Sequence, residues 1–274
     1  MCKVMEVNRS GYYRYANQIT IIKESEIEER KMIIEMKVLH EKTRQSYGTR
    51  RMSRSLQKKG YQVGRYKIRR VMRENGIQCK QRRRYKVTTI SSHSLPVAEN
   101  KLDRNFTVLA PNKVWVADIT YLWTLQGWLY IAAVVDLFSR RVVGWAMADN
   151  MYTELIENAL KMAIGRRQPA PNLMHHSDQG SQYASQYYQE LLAQLNITVS
   201  MSRKGNCWDN AVMERFFGSL KSERTNGVTY FTRRQAINDV IEYIEMFYNA
   251  DRLHSILGYM SPVEFEKQQN FISL

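Results

Sequence analysis

Cysteine is scarce: the 274 residues carry three, Cys2, Cys79 and Cys207, each isolated. Neither a disulfide framework nor paired Cys-x-x-Cys zinc ligands can be drawn from them. His175 and His176 are adjacent, which places them poorly as two ligands on one strand face. Long apolar runs are missing as well. No stretch approaches the roughly 18 consecutive apolar residues of a membrane span, and the opening Met-Cys-Lys-Val-Met-Glu-Val-Asn-Arg lacks a signal peptide's apolar core. The expectation is a soluble, cytoplasmic chain with no membrane partner. The most informative absence is local. Residues 44–86 contain one acid, Glu74, against 16 Lys or Arg, so this segment alone carries +15, the net charge of the whole chain.

A basic excess confined to one short segment is the electrostatic footprint expected for nucleic acid, whereas a diffuse one would speak only to solubility. Thr49 can cap a helix through Met52 and Leu56 to Lys59, and Gly60 ends it. A second helix from about Arg65 carries Ile68, Val71 and Met72 up to Asn75-Gly76. Two short helices joined by a Gly-containing turn read as a helix-turn-helix. On the second, Arg65, Lys67, Arg69, Arg70 and Arg73 surround the apolar positions and are candidates for DNA contact, the alternative being a solvated basic face. Arg82, Arg83 and Arg84 extend the charge into the following linker, where phosphate contact without base reading is expected.

The expected division is a helical segment at 1–42, the basic helix-turn-helix domain at 43–86, a Ser-, Thr-, Asn- and Pro-containing linker at 87–112, a large core domain of mixed strand and helix at 113–250 and a tail at 251–274. The first segment predicts a helix near 25–40 with an apolar stripe of Ile27, Ile34 and Val38, either an interaction helix or a packing helix. In the core the pattern predicts strands at 113–122, 128–138 and 141–148, a helix at 153–166, a strand near 172–177, a helix capped by Ser185, a strand at 197–202, and a helix around Glu214. A long amphipathic helix over 232–250 opens on a Thr232-x-x-Gln235 capping box. Three strands in a meander followed by helix and strand in alternation give a mixed sheet covered on both faces.

Three acids stand out. Asp118 lies inside the apolar, β-branched run Val-Trp-Val-Ala-Asp-Ile-Thr-Tyr-Leu, where a carboxylate is costly unless a cation meets it. Arg or Lys can meet that need, and so can a divalent metal shared among carboxylates. Asp178 sits in His-His-Ser-Asp-Gln-Gly-Ser-Gln-Tyr. Glu214 lies on a helix whose apolar flank is Val212, Met213, Phe216, Phe217 and Leu220. Asp209 or Asn210 is its expected cap, and its other flank shows Glu214, Gly218 and Lys221. Asp136, next to Arg140 and Arg141, is expected to be structural. The Arg252-x-His254 stretch either contacts DNA or caps the domain.

The 36-residue spacing from Asp178 to Glu214, both Asp contexts, the Glu-Arg-Phe-Phe-x-x-Leu-Lys helix and the Tyr-Asn-Ala-Asp-Arg-Leu-His-Ser-Ile-Leu-Gly-Tyr stretch near the end resemble the Asp-Asp-Glu core of retroviral integrases and insertion-sequence transposases. The nearer likeness is to the IS-three family, second reading frame product. The resemblance implies a ribonuclease H-like mixed sheet with flanking helices, preceded by the small all-α helix-turn-helix domain. It implies that Asp118, Asp178 and Glu214 are both catalytic residues and ligands of two Mg2+ ions, with Mn2+ able to substitute, Asp118 bridging and the other two each completing one site. Lys204 and Lys221 would join the DNA contacts. The partners implied are the element's terminal inverted repeats, target DNA, further copies of the chain on DNA, and the upstream reading frame product or its frameshift fusion. The activity implied is DNA strand cleavage and strand transfer. Two rivals use subsets of these features: a ribonuclease H-type nuclease needs only the acids, and a DNA-binding regulator only the basic segment.

Overall fold

The computed structural model describes residues 2, 5–80, 95–203 and 207–272, in two compact units divided after Lys80. Arg82, Arg83, Arg84 and Lys204 lie outside the described residues.

In the first unit, α1 (Arg9–Lys42) is one helix of 34 residues, far longer than the expected 25–40. The side chain of Asn8 caps it by accepting from Ser10 and Gly11 amides. Its buried line is Met32, Met36 and Leu39, spaced 4 and 3 apart, whereas Ile27, Ile34 and Val38 are 53–65% exposed. The expected stripe is therefore the outer face. Two apolar lines share this helix, and the inward one packs with α2 (Thr49–Lys58) and α3 (Arg65–Glu74), whose Met52, Leu56, Ile68, Val71 and Met72 are buried. The described part of α1 and the helix-turn-helix fall within the same compact unit.

The second unit is built on a five-stranded sheet in the order β3-β2-β1-β4-β5. The strands β1 (Val114–Thr124), β2 (Gly127–Asp136) and β3 (Val142–Ala148) form an antiparallel meander; β4 (Met174–Ser177) and β5 (Thr198–Met201) then add in parallel. Alternation with period two sends Trp115, Ala117, Ala132 and Val134 to one face, against α4 (Thr153–Arg167), α5 (Ser181–Ala184) and α6 (Gln186–Gln194). Val116, Leu122, Ile131 and Ala133 go to the other, against α7 (Ala211–Leu220) and α8 (Arg233–Glu242). This is the expected ribonuclease H-like layering. Gly144 is required on β3, because a Cβ there would collide with the Ala159 carbonyl of α4. The side chain of Ser185 caps α6 by accepting from the Tyr188 amide, and Thr232 caps α8 by accepting from Gln235.

Several polar expectations change. Asp136 is fully buried, but its cation is Arg167 on α4, at 3.4 Å, together with the Asn112 and Phe138 amides at 2.8 and 2.9 Å. Arg141 instead meets Glu266 of α9 (Pro262–Ile272) at 2.7 Å, and Arg167 and Ser139 share that carboxylate. The role of Asp136 is structural as expected, with a different partner. Residues 95–112 have no separate core, as expected of a connector, but they add to that of the sheet: Leu102 is buried against the α7 face and its amide donates to Ser200 Oγ.

Candidate active site

β1 and β4 are parallel neighbours, with Val114, Trp115 and Val116 opposite Met174, His175 and His176. Continuing that register two residues brings Asp178, just past the end of β4, alongside Asp118, in strands spaced about 4.8 Å apart. Asp118 shares the even face of β1 with Val116, the face that α7 covers, and α7 carries Glu214 in its first turn.

The start of α7 is fastened to these same two strands. Asn210 Nδ2 donates to the Ala117 carbonyl at 3.5 Å, beside Asp118. His176 Nε2 lies 3.1 Å from the Asp209 carbonyl, and its Nδ1 lies 2.9 Å from Ser200 Oγ. Burial pulls His176 down to about 4, so at neutral pH it is the uncharged tautomer that donates from Nε2. His175, pulled down to about 3 by burial and by its neighbour, rests on the Tyr188 hydroxyl at 3.2 Å. Both histidines are framework.

Asp209 is not a helix cap. Its fully buried carboxylate takes Arg104 Nε at 2.8 Å, Asn100 Nδ2 at 2.9 Å, and Arg203 through both its amide and its Nε at 3.0 Å. Burial would raise this acid, but Arg203 and Arg104 hold it well below the usual carboxylate range. Asn210 makes no side-chain cap either. A short 3-10 turn, Cys207–Asn210, leads into α7, and the Asp209 cluster ties that turn to the 95–112 segment.

The carboxylate of Asp118 is pushed well above its ordinary value, first by desolvation, then by Asp178 and more weakly by Glu214; the Ile119 amide at 2.7 Å and Lys221 oppose this. Asp178 Oδ1 accepts from the Gly180 amide at 2.9 Å, which shapes the turn after β4. Glu214 is exposed and raised by partial desolvation. Lys221, half-buried where α7 widens into the π-helical turn Lys221–Thr225, places its Nζ 5.3 Å over the Tyr121 ring, and burial lowers its pKa against the pull of Asp118. The structure therefore brings together Asp118, Asp178, Glu214 and Lys221. Asp118 and Asp178 form the close pair, and among the described residues no three acid, His or Cys side chains form a ready-made metal cage. Hard carboxylate oxygens at a desolvated edge are nevertheless the donor set that Mg2+ takes, keeping waters in the remaining positions.

One residue was not singled out from sequence. Tyr183 is 2% exposed, packs between His175 and Tyr188, and its hydroxyl has no hydrogen-bond partner among the described residues. Desolvation, then Asp118, Tyr188 and Asp178, raise its pKa. Its signal in the sequence is only its place in the motif that carries Asp178. Tyr183→Phe should raise the melting temperature in metal-free buffer, since an unsatisfied buried hydroxyl costs about 1–3 kcal/mol; calorimetry showing a loss of stability would mean that the hydroxyl is paired.

The five α3 cations separate into two groups. Lys67 and Arg70 meet Glu29 of α1 at 3.3 and 3.1 Å, and Arg70 also meets Glu74 at 3.0 Å. Arg65, Arg69 and Arg73 have no carboxylate partner among the described residues and are exposed. The tail resolves its alternatives differently: Arg252 is 4% exposed and bidentate to Glu223, so it caps the domain.

The second unit is a meander extended by two parallel strands, with Asp118 and Asp178 where β1 and β4 run side by side, and its family is that of integrase-core DNA-processing enzymes. A family model described as an integrase core domain matches residues 109–207, a second integrase core model matches 214–269, and an HTH-like domain model matches 26–85. The 31 kDa protein of insertion element IS600 from Shigella sonnei is 44% identical over 268 residues, 98% of each chain. The transposase InsF for insertion sequence IS3A from Escherichia coli strain K12 is 38% identical over 98% of this chain and 93% of its own. Among solved structures, a simian T-cell lymphotropic virus intasome in complex with a PP2A regulatory subunit aligns at TM-score 0.49 and 17% identity over 83% of this chain and 73% of its own. The HTLV-2 integrase catalytic core domain in complex with magnesium aligns at 0.45 and 19% over 58% and 98%. The chain belongs to the transposases of IS3-family insertion sequences.

Proposed function

We propose that this transposase binds the terminal inverted repeats of its element through the basic first unit, and that Asp118, Asp178 and Glu214 are the catalytic acids that cut each end and join it to target DNA. The observation that carries the proposal is the meeting of Asp118 with Asp178, a repulsive and desolvated pair that a bound cation would make favourable in its charged form. Mg2+, as two ions or with Mn2+ in its place, would be held by these three side chains and would supply positive charge to the scissile phosphate and the leaving oxygen. Asp118 would hold that charge from within β1, and Asp178 from the turn that follows β4. Glu214 reaches it from a helix whose first turn is fastened to β1 and β4 through Asn210 and His176. Lys221 adds a cation beside Asp118 where the phosphate backbone approaches, and Lys204 is proposed from its sequence context as a further DNA contact. The assembly on DNA would hold more than one copy of this chain, with the upstream reading frame product or its fusion as a further partner, inside the bacterial cell.

Linear DNA bearing the element's own ends, incubated with Mg2+ or with EDTA, should yield nicked and joined products only with Mg2+. Nicking without joining would favour a ribonuclease H-type nuclease, and effects of the protein that ignore the metal would favour a DNA-binding regulator. Lys221→Ala should weaken binding of the element end while leaving the Mg2+ concentration for half-maximal activity within about twofold, because an ammonium cannot ligate a cation. A large rise in that concentration would instead place Lys221 among the groups that orient the metal ligands.

A further inference from the structure

The unequal pairing of the α3 cations separates two jobs that the sequence merges. At about 100° per residue, Ile68, Val71 and Met72 point one way, and Tyr66 lies about 190° from their centre, straight out from the fold. It is 86% exposed, a large aromatic side chain standing out of the described surface. On one side of Tyr66 run Arg65, Arg69 and Arg73, four residues apart and without carboxylate partners among the described residues. On the other side Lys67 and Arg70 converge on Glu29 of α1, with Glu74 behind. The α1 side is thereby neutralised, while the opposite edge keeps its charge.

We infer that α3 reads DNA through Tyr66, steered by Arg65, Arg69 and Arg73, and that Lys67 and Arg70 hold α3 onto α1 instead of contacting DNA. An isolated aromatic ring on the outward line of a basic helix has a use in a major groove: the ring packs on thymine methyl groups while the phenol hydroxyl bonds a base edge. Residues in the first turns of the second helix are the ones that reach base edges in this motif, and Tyr66 is its second residue. The unpaired arginines suit phosphates, which set register without carrying sequence. This inference rests on the proposal that the first unit binds the element's ends.

The test uses the full chain and two duplexes of equal length, one copied from an end of the element that encodes it and one scrambled, each titrated across a range of salt. Tyr66→Ala should cut the affinity ratio between the two duplexes by roughly 5- to 100-fold, the size of one lost base contact, with binding to the scrambled duplex and its salt slope unchanged. Arg69→Ala should weaken both duplexes and lower the slope by about 0.9, whereas Lys67→Ala should leave the slope as it is. A wild-type preference that survives Tyr66→Ala overturns the inference alone. So does a slope change in Lys67→Ala equal to that of Arg69→Ala. A wild type that does not distinguish the duplexes overturns the end-binding proposal together with it. Tyr66 touches no core, so loss of folding does not obscure the result; circular dichroism of each variant checks this.

Discussion

Asp118→Asn, Asp178→Asn and Glu214→Gln are each expected to remove nicking and joining together. Each replaces a proposed carboxylate ligand with a neutral amide, so the loss should exceed the roughly 10- to 100-fold typical when only an outer partner of a metal ligand is removed. The amide keeps the volume of the acid but loses the charge that favours a cation. DNA binding should survive, because the unpaired cations of α3 are in the other unit. A thermal readout separates this from loss of folding. Mg2+ at about 100 times its dissociation constant should stabilise the wild type by about 2.7 kcal/mol and each variant by less. Without metal, Asp118→Asn should melt no lower than the wild type, since it relieves the repulsion and desolvation that raise the Asp118 pKa. Asp136→Asn is the control. Its carboxylate belongs to the Arg167 cluster, so any effect should appear in stability and not in the Mg2+ response. Joining retained in any of the three, or a metal-dependent defect in Asp136→Asn as severe as theirs, would show that other acids do the chemistry.

Arg252→Ala is expected to have the largest effect on stability. Arg252 and Glu223 are both under 10% exposed, paired through two 2.7 Å hydrogen bonds, with Tyr243 OH on the same carboxylate at 2.9 Å and Ser219 Oγ on the guanidinium at 3.1 Å. Removing one partner leaves the other charge buried, a loss of about 3–5 kcal/mol. For a unit of this size that corresponds to roughly 6–20 °C in melting temperature. Replacing both, as Glu223→Gln with Arg252→Met, should cost distinctly less than Arg252→Ala, because no charge is stranded; equal costs would mean that packing and not charge dominates. The pair also matters for the site. Glu223 sits in the widened turn Lys221–Thr225, so the clamp fixes the stretch of backbone that carries Lys221. Arg252→Ala should therefore reduce engagement of the element end even at temperatures where the fold is intact.

Local signals were legible wherever a short-range rule decides the structure. Ser185 and Thr232 were recognisable as caps because the bond each makes spans three residues. The strands of the meander were visible as apolar, β-branched runs. The outer stripe of α1 shows where such rules stop. Ile27, Ile34 and Val38 have helical spacing, and so do Met32, Met36 and Leu39; periodicity identifies a face without saying which face meets the core. The partners of buried charge were equally hidden. Arg140 and Arg141 are the nearest cations to Asp136 in sequence, yet the turn between β2 and β3 sends their side chains to the Phe106 carbonyl and Glu266, and α4 supplies Arg167. The same holds for Lys67 and Arg70, whose Glu29 lies on another helix.

The sequence by itself determined which acids to consider and where the positive charge resides, since motif spacing and composition are properties of the chain. That Asp118 and Asp178 stand side by side, that α7 brings Glu214 and Lys221 to them, and that only part of the basic helix keeps its charge free were decided by tertiary structure. A parallel crossover joins two strands through a long connection whose length does not set their register, so the meeting of the two aspartates is fixed by the packing of both faces of the sheet.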